Sequence, residues 1–125
     1  MKKYIRLIVL LLSVATLFAG AIQAIAPAFV LNFIGAEINT TTKLLFAIIG
    51  MFMFLFGGMM VHGLYHEDNN RVVLIWSVLQ KSGASAAIFI GIFNGTFIPL
   101  AAGVALFDLF SAIMFFYYLR KYVIA

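Results

Sequence analysis

The chain has 125 residues, of which 66% are hydrophobic and only 10% are charged, and its mean hydropathy is +1.16. This composition excludes an ordinary water-soluble domain, which needs more polar surface to cover a core of this size, and is typical of integral membrane proteins. The chain contains no cysteine, which excludes disulfides, thiolate metal sites and thiol redox chemistry.

Four apolar segments are long enough to cross a membrane as helices, since a span takes about 20 residues. The segments cover about residues 4–26, 43–65, 71–93 and 97–119. Pro27 ends the first segment, and the Asn94-Gly95 turn separates the last two. The sequence therefore predicts one transmembrane domain over residues 1–125, an all-α four-helix bundle with up-down-up-down topology.

The first segment, MKKYIRLIVLLLSVATLFAGAIQA, has two interpretations. Its basic start, apolar centre and small residues near the end are also typical of a secretory signal peptide. Its apolar run continues to Ala26, which is long enough to cross a bilayer. We therefore expect a retained transmembrane helix, with a cleaved signal peptide as the alternative.

The stretch 27–42 mixes apolar and polar residues. It predicts an interfacial connector on the outer side of the membrane, with Phe29, Leu31 and Phe33 reaching into the headgroup region.

The formal net charge of +4 is distributed unevenly along the chain, which predicts the orientation of the bundle. The N-terminus, the loop between the second and third spans and the C-terminus hold Lys2, Lys3, Arg6, Arg71, Arg120 and Lys121. Only Lys43 lies on the opposite side. By the positive-inside rule both termini are cytoplasmic, and the charge reflects topology rather than a nucleic-acid partner.

Lys81 and Asp108 are ionisable residues deep within the apolar spans. Lys81 lies 13 residues before Asn94, and Asp108 lies 13 residues after Gly95. At about 1.5 Å of rise per residue both lie roughly 20 Å from the turn, hence at one depth. Because a lone charge in hydrocarbon is costly, the spacing predicts a buried Lys81–Asp108 ion pair.

Alternatives to this pair, and to its role, stay open at this point. Lys81 could instead extend its stem toward the cytoplasmic headgroups, although Asp108 is too short to do so. A buried pair can carry protons or ligands, or can only set helix register. Other polar residues expected near the pair are Gln80, Thr16, Ser85 and Ser111.

Small residues predict where helices approach closely. Gly83, Ala87 and Gly91 lie four residues apart on the third span, and Gly50 and Gly57 lie on the second. We expect these faces to pack helices within one chain, with a dimer interface as the alternative.

His62 and His66 are candidate metal ligands because an i, i+4 pair can bind one ion. A solvated pair at the interface is the alternative. The sequence predicts no bound metal and no cofactor.

The stretches FGGMMVHGL (56–64) and FDLFSAIMFFYYLRK (107–121), together with the four-helix layout, resemble DoxX-like proteins. This resemblance implies a small four-helix protein of the bacterial inner membrane, often an accessory subunit. It implies no specific substrate.

No nucleophile–base set, phosphate-binding glycine loop or carboxylate pair is recognisable, so we expect no enzymatic activity. The sequence favours a non-enzymatic accessory subunit or a lipophilic-ligand-binding protein that uses the Lys81–Asp108 pair. An oligomeric proton-coupled transporter or channel is the alternative. Expected partners are membrane lipid and either a larger membrane complex or further copies of the chain.

Overall fold

The computed structural model describes residues 2–66 and 70–124, and every regular element in these ranges is helical. Five α-helices follow in chain order: α1 Lys2–Ile25, α2 Pro27–Ile34, α3 Thr40–Leu64, α4 Asn70–Phe93 and α5 Ala102–Tyr118. A 3-10 helix, Pro99–Ala101, precedes α5, and a π-helical segment, Leu119–Ile124, continues it. Four segments are long and apolar enough to cross a membrane, which confirms the predicted all-α four-helix membrane architecture.

The interior of the bundle holds many polar side chains, whereas its outer surface is apolar. Buried polar side chains are Ser13, Thr16, Gln23, Asn70, Ser77, Lys81, Ser85, Asp108 and Ser111. Large apolar side chains such as Phe18, Phe52 and Leu106 lie exposed. Such a surface is unfavourable in water but matches hydrocarbon, in which polar groups must find partners inside the protein. The distribution is therefore that of a protein solvated by lipid.

The bundle consists of two tightly packed helix pairs, α1 with α3 and α4 with α5, which meet through fewer contacts. Glycines allow the close approach of α1 and α3. A Cβ placed on Gly57 would lie 2.6 Å from the backbone nitrogen of Leu17, and one on Gly50 would lie 2.5 Å from that of Ala24. Both glycines therefore lie at the contact between α1 and α3.

The apolar core lies at one end of the bundle, where α1 and α4 begin and α3 and α5 finish; we call this the basic end. Its buried residues are Val9, Met60, Leu64, Leu74, Phe115, Tyr118 and Leu119. Arg6 lies at the same end, where its Nη2 donates to the Leu64 carbonyl at 2.7 Å. The opposite end, which holds α2 and residues 94–98, is the connector end.

The predicted connector 27–42 contains the helix α2, which corrects the sequence interpretation. Leu31 is 1% exposed and Ile34 is 6% exposed, so both pack into the bundle, whereas Phe29 stays exposed. Backbone N–H groups in the first turn of a helix have no carbonyl partner within the helix, so a proline, which has no N–H, costs nothing there. Pro27 therefore begins α2 as well as ending α1. The prediction that Leu31 enters the headgroups was therefore wrong.

The second span begins at Thr40 rather than at residue 43, because Asn39 caps it. The Asn39 side chain accepts from the Thr42 backbone N–H at 2.9 Å, and the Thr42 hydroxyl accepts from the Asn39 backbone N–H at 2.9 Å. These two hydrogen bonds form a capping box, which satisfies backbone N–H groups that have no partner within the helix at its N-terminus.

The fourth span begins later than the predicted residue 97, because the preceding residues bond to other parts of the chain. The Thr96 and Phe97 backbone N–H groups both donate to the Gly91 carbonyl. Ile98 donates to the Ile34 carbonyl at 2.9 Å, which ties this turn to α2. Gly95 has φ of +77°, as the predicted Asn-Gly turn requires.

The predicted packing stripe on α4 is wrong for two of its three residues. Gly83 and Ala87 are exposed, and a Cβ on Gly83 would meet nothing within 4 Å. Gly91 is buried, but it packs against the Phe97 ring of the following turn rather than against another helix. The reason is that α4 turns its polar face, with Lys81, toward the bundle, which leaves the small residues facing outward.

Candidate functional site

Lys81, Asp108 and Thr16 meet near the centre of the bundle, each from a different helix. The Lys81 ammonium lies 3.0 Å from Asp108 Oδ1 and donates a hydrogen bond of 2.6 Å to the Thr16 hydroxyl. Lys81 is 3% exposed and Asp108 is 7% exposed. The predicted Lys81–Asp108 ion pair is therefore present. Lys81 does not extend toward the headgroups, because it is buried.

The neighbours of Lys81 are oriented to hold its positive charge. The Thr16 hydroxyl donates its one hydrogen to the Leu12 carbonyl at 2.9 Å, so an oxygen lone pair is left for the ammonium. The Phe107 ring centroid lies 5.1 Å from the Lys81 nitrogen, within the range of a cation–π contact. The ammonium is therefore held by an anion, a hydroxyl and an aromatic face.

The serines near the pair bond mainly to backbone. Ser85 donates to the Ala105 carbonyl at 2.9 Å, which joins α4 to α5 one turn from the ion pair. Ser111 donates to the Phe107 carbonyl in its own helix and makes no hydrogen bond to the pair. The two predicted neighbours therefore differ, because only Ser85 links two helices.

A cavity of about 330 Å³ opens beside the ion pair. Its polar lining consists of Gln23, Gln80, Lys81 and Asp108. Its apolar lining consists of Val30, Ile34, Phe46, Ile49, Met53, Ala84, Ala87, Ile88, Phe97 and Val104. The volume lies within the range of natural ligand sites, which are mostly apolar with a few polar groups.

The walls of this cavity leave one side open toward the membrane. Ile34 of α2 and Phe97 close it at the connector end, and the ion pair forms its floor. Between α3 and α4, the lining residues Ile49 and Ala87 are exposed on the outer surface of the bundle. Here α3 and α4 are not a tightly packed pair, since they contact each other far less than α3 contacts α1 or α4 contacts α5.

A second, much smaller cavity of about 10 Å³ lies on the other side of Lys81. It is lined in part by Ser13, Thr16 and Ser77, and the Ser77 hydroxyl is buried without a hydrogen-bond partner in the protein. The apolar core at the basic end, which includes the fully buried Leu74, lies beyond it. Lys81 and Gln80 line both the large cavity and this small one.

The His62 and His66 rings lie edge to face, with centroids 4.6 Å apart, and both residues are exposed. Within residues 2–66 and 70–124, no cluster of three or more His, Cys, Asp or Glu residues could hold a metal ion. The two histidines stay weak candidates only, in a chain for which the sequence predicts no bound metal.

The sequence interpretation missed the closure of the cavity by Ile34 and Phe97. Gln23 Nε2 donates to the Phe46 carbonyl at 3.1 Å and so links α1 to α3 at the cavity wall. It lies on the same buried helical face of α1 as Ser13 and Thr16.

Comparisons with known protein families, curated proteins and solved structures find no match. The resemblance to DoxX-like proteins therefore stays a prediction. Fold and site together define the class to which the chain belongs, that of small multi-pass membrane proteins. Within that class its particular features are the buried ion pair and the adjoining apolar cavity.

Proposed function

We propose that this protein is a non-enzymatic membrane protein that binds a lipophilic ligand between α3 and α4. The observation that carries the proposal is the cavity of about 330 Å³, apolar over most of its wall and polar at the Lys81–Asp108 floor. A mostly apolar cavity with a few convergent polar groups favours a small lipophilic molecule held in one orientation by its polar end.

The proposal includes a location, the bacterial inner membrane, with the basic end in the cytoplasm. Arg6 and Arg71 lie at the basic end, as the positive-inside rule requires of a cytoplasmic face. Association with a larger membrane complex is compatible with ligand binding, and its test is the co-purification of a stoichiometric protein partner.

Replacing Ala87 by Leu is expected to remove the bound ligand. Ala87 lines the cavity at its open side, so a larger side chain fills space that the ligand needs. Overpacking by a few methylenes costs about 1–3 kcal/mol, which corresponds to about 5- to 140-fold in affinity. The measurement is the amount of each lipophilic molecule, per mole of protein purified in mild detergent, by mass spectrometry of an organic extract.

Ala86→Leu is the matched control for this experiment. Ala86 precedes Ala87 on α4, is equally exposed to the membrane and does not line the cavity. We expect one molecule to co-purify with the wild type and with Ala86→Leu, and to be depleted from Ala87→Leu. Equal occupancy in both variants, or no retained molecule in the wild type, would contradict the proposal.

A second candidate function is proton-coupled transport, favoured by one observation: Lys81 lines both the large cavity and the second, smaller one. A titrating pair in this position could connect the two compartments. The expected result is a pH-dependent flux in proteoliposomes that Asp108→Asn abolishes. A proton and solute flux indistinguishable from that of empty liposomes would remove this candidate and leave ligand binding unaffected.

A further inference from the structure

The floor of the large cavity carries no net charge. Lys81 and Asp108 neutralise each other at 3.0 Å, and the other polar side chains of the lining, Gln23 and Gln80, are uncharged. A charged ligand head placed here would lack a counterion within a site walled by hydrocarbon, where an unpaired charge is costly. The site therefore favours an uncharged head.

The same floor offers both a hydrogen-bond donor and an acceptor. An ammonium has three donors, of which Lys81 uses one on Asp108 and one on Thr16. A carboxylate has two oxygens and about four acceptor positions, and Asp108 receives the Lys81 bond through Oδ1. A hydroxyl, which donates and accepts through one atom, matches this pair of groups.

The size and the open side of the cavity restrict the rest of the ligand. A volume of about 330 Å³ lies near the lower end of the range of natural ligand sites, about 300–1,000 Å³. This holds one hydrocarbon chain of moderate length, not the paired chains of a phospholipid. The gap between Ile49 and Ala87 admits such a chain directly from the membrane.

We infer that the ligand is a single-chain lipid with a hydroxyl head, which passes sideways between α3 and α4 and bonds to the Lys81–Asp108 pair. This inference rests on the proposed function and specifies its substrate class. On this inference the Lys81–Asp108 pair determines selectivity, because its two charges cancel and therefore favour ligands with an uncharged head group.

The test uses three photoactivatable probes that share one diazirine-bearing alkyl chain and differ only in the head: hydroxyl, sulfonate or trimethylammonium. Each is added in trace amount to the full-length protein in lipid nanodiscs, and the labelled residues are mapped by mass spectrometry. We expect the hydroxyl probe to label residues that line the cavity, such as Met53 and Ile88, at least about tenfold more than either charged probe.

Charge-changing variants give a second and independent measurement. Asp108→Asn leaves the Lys81 cation unbalanced, so labelling by the sulfonate probe is expected to increase relative to the hydroxyl probe. Lys81→Met leaves the Asp108 carboxylate unbalanced, so the trimethylammonium probe is expected to gain instead. The opposite direction of the two changes distinguishes charge selection from general loosening of the fold.

The outcomes separate this inference from the proposed function. Absence of cavity labelling by all three probes would overturn the function and the inference together. Equal labelling of the cavity by all three heads in the wild type would leave the function standing and overturn the inference. A preference for one charged head in the wild type would do the same, and the wild-type result stands even if a variant fails to fold.

Discussion

Lys81→Met and Asp108→Leu, each made alone, are expected to lower the free energy of unfolding by about 3–5 kcal/mol. Each change leaves one ion buried in hydrocarbon without its partner, and both residues are more than nine-tenths buried. The measurement is reversible unfolding with a denaturing detergent, followed by circular dichroism. This is the largest effect that a single substitution in the site should produce.

The double variant is expected to be far more stable than the sum of the single effects predicts. When both ions are replaced by apolar side chains, no uncompensated charge remains, and such replacements are often close to neutral. Thr16→Val is the milder control, because it removes a hydrogen bond to Lys81 but keeps the ion pair. Additive losses in the double variant would show that the two side chains do not depend on each other.

Gly57→Leu is expected to disrupt the packing of α1 against α3, with a loss of about 1–3 kcal/mol or more. Even a single Cβ on Gly57 would lie 2.6 Å from the Leu17 nitrogen and 2.8 Å from its Cα, and backbone cannot move aside as a side chain can. The same unfolding measurement applies, with the exposure of α1 to protease as a second readout.

Two other glycines are matched controls for this experiment. A Cβ on the adjacent Gly58 would meet only the Leu17 Cδ1 at 3.8 Å, and one on Gly83 would meet nothing within 4 Å. Gly58→Ala and Gly83→Ala are therefore expected to be neutral, or to stabilise by up to about 1 kcal/mol through helix propensity. A loss at all three positions would show that the effect belongs to membrane helices in general and not to the α1–α3 contact.

The ion pair was predictable from sequence because its evidence is local. A tight turn fixes which residues of two adjoining helices lie level, so counting outward from Asn94 and Gly95 was sufficient to pair Lys81 with Asp108. The polar face of α1 was equally visible as a 3–4 residue periodicity, and Thr16 on that face contacts Lys81.

The cavity was not predictable from the sequence, because it depends on the distance between α3 and α4. Spacing of small residues indicates that close approach is permitted, but not which neighbour uses it. Gly50 and Gly57 meet a partner helix, whereas Gly83 and Ala87 do not. The closure by α2 was missed because Pro27 signals both the end of one helix and the start of another.

The burial of Lys81 also has a consequence for biosynthesis. The chain emerges from the ribosome in sequence order, so Lys81 leaves the exit tunnel before Asp108, which follows it by 27 residues. Of the four candidate spans, α4 is the least hydrophobic, whereas Thr16 has already been delivered with α1. We therefore expect stable integration of α4 to depend on α5, so that the two helices enter the bilayer as one hairpin.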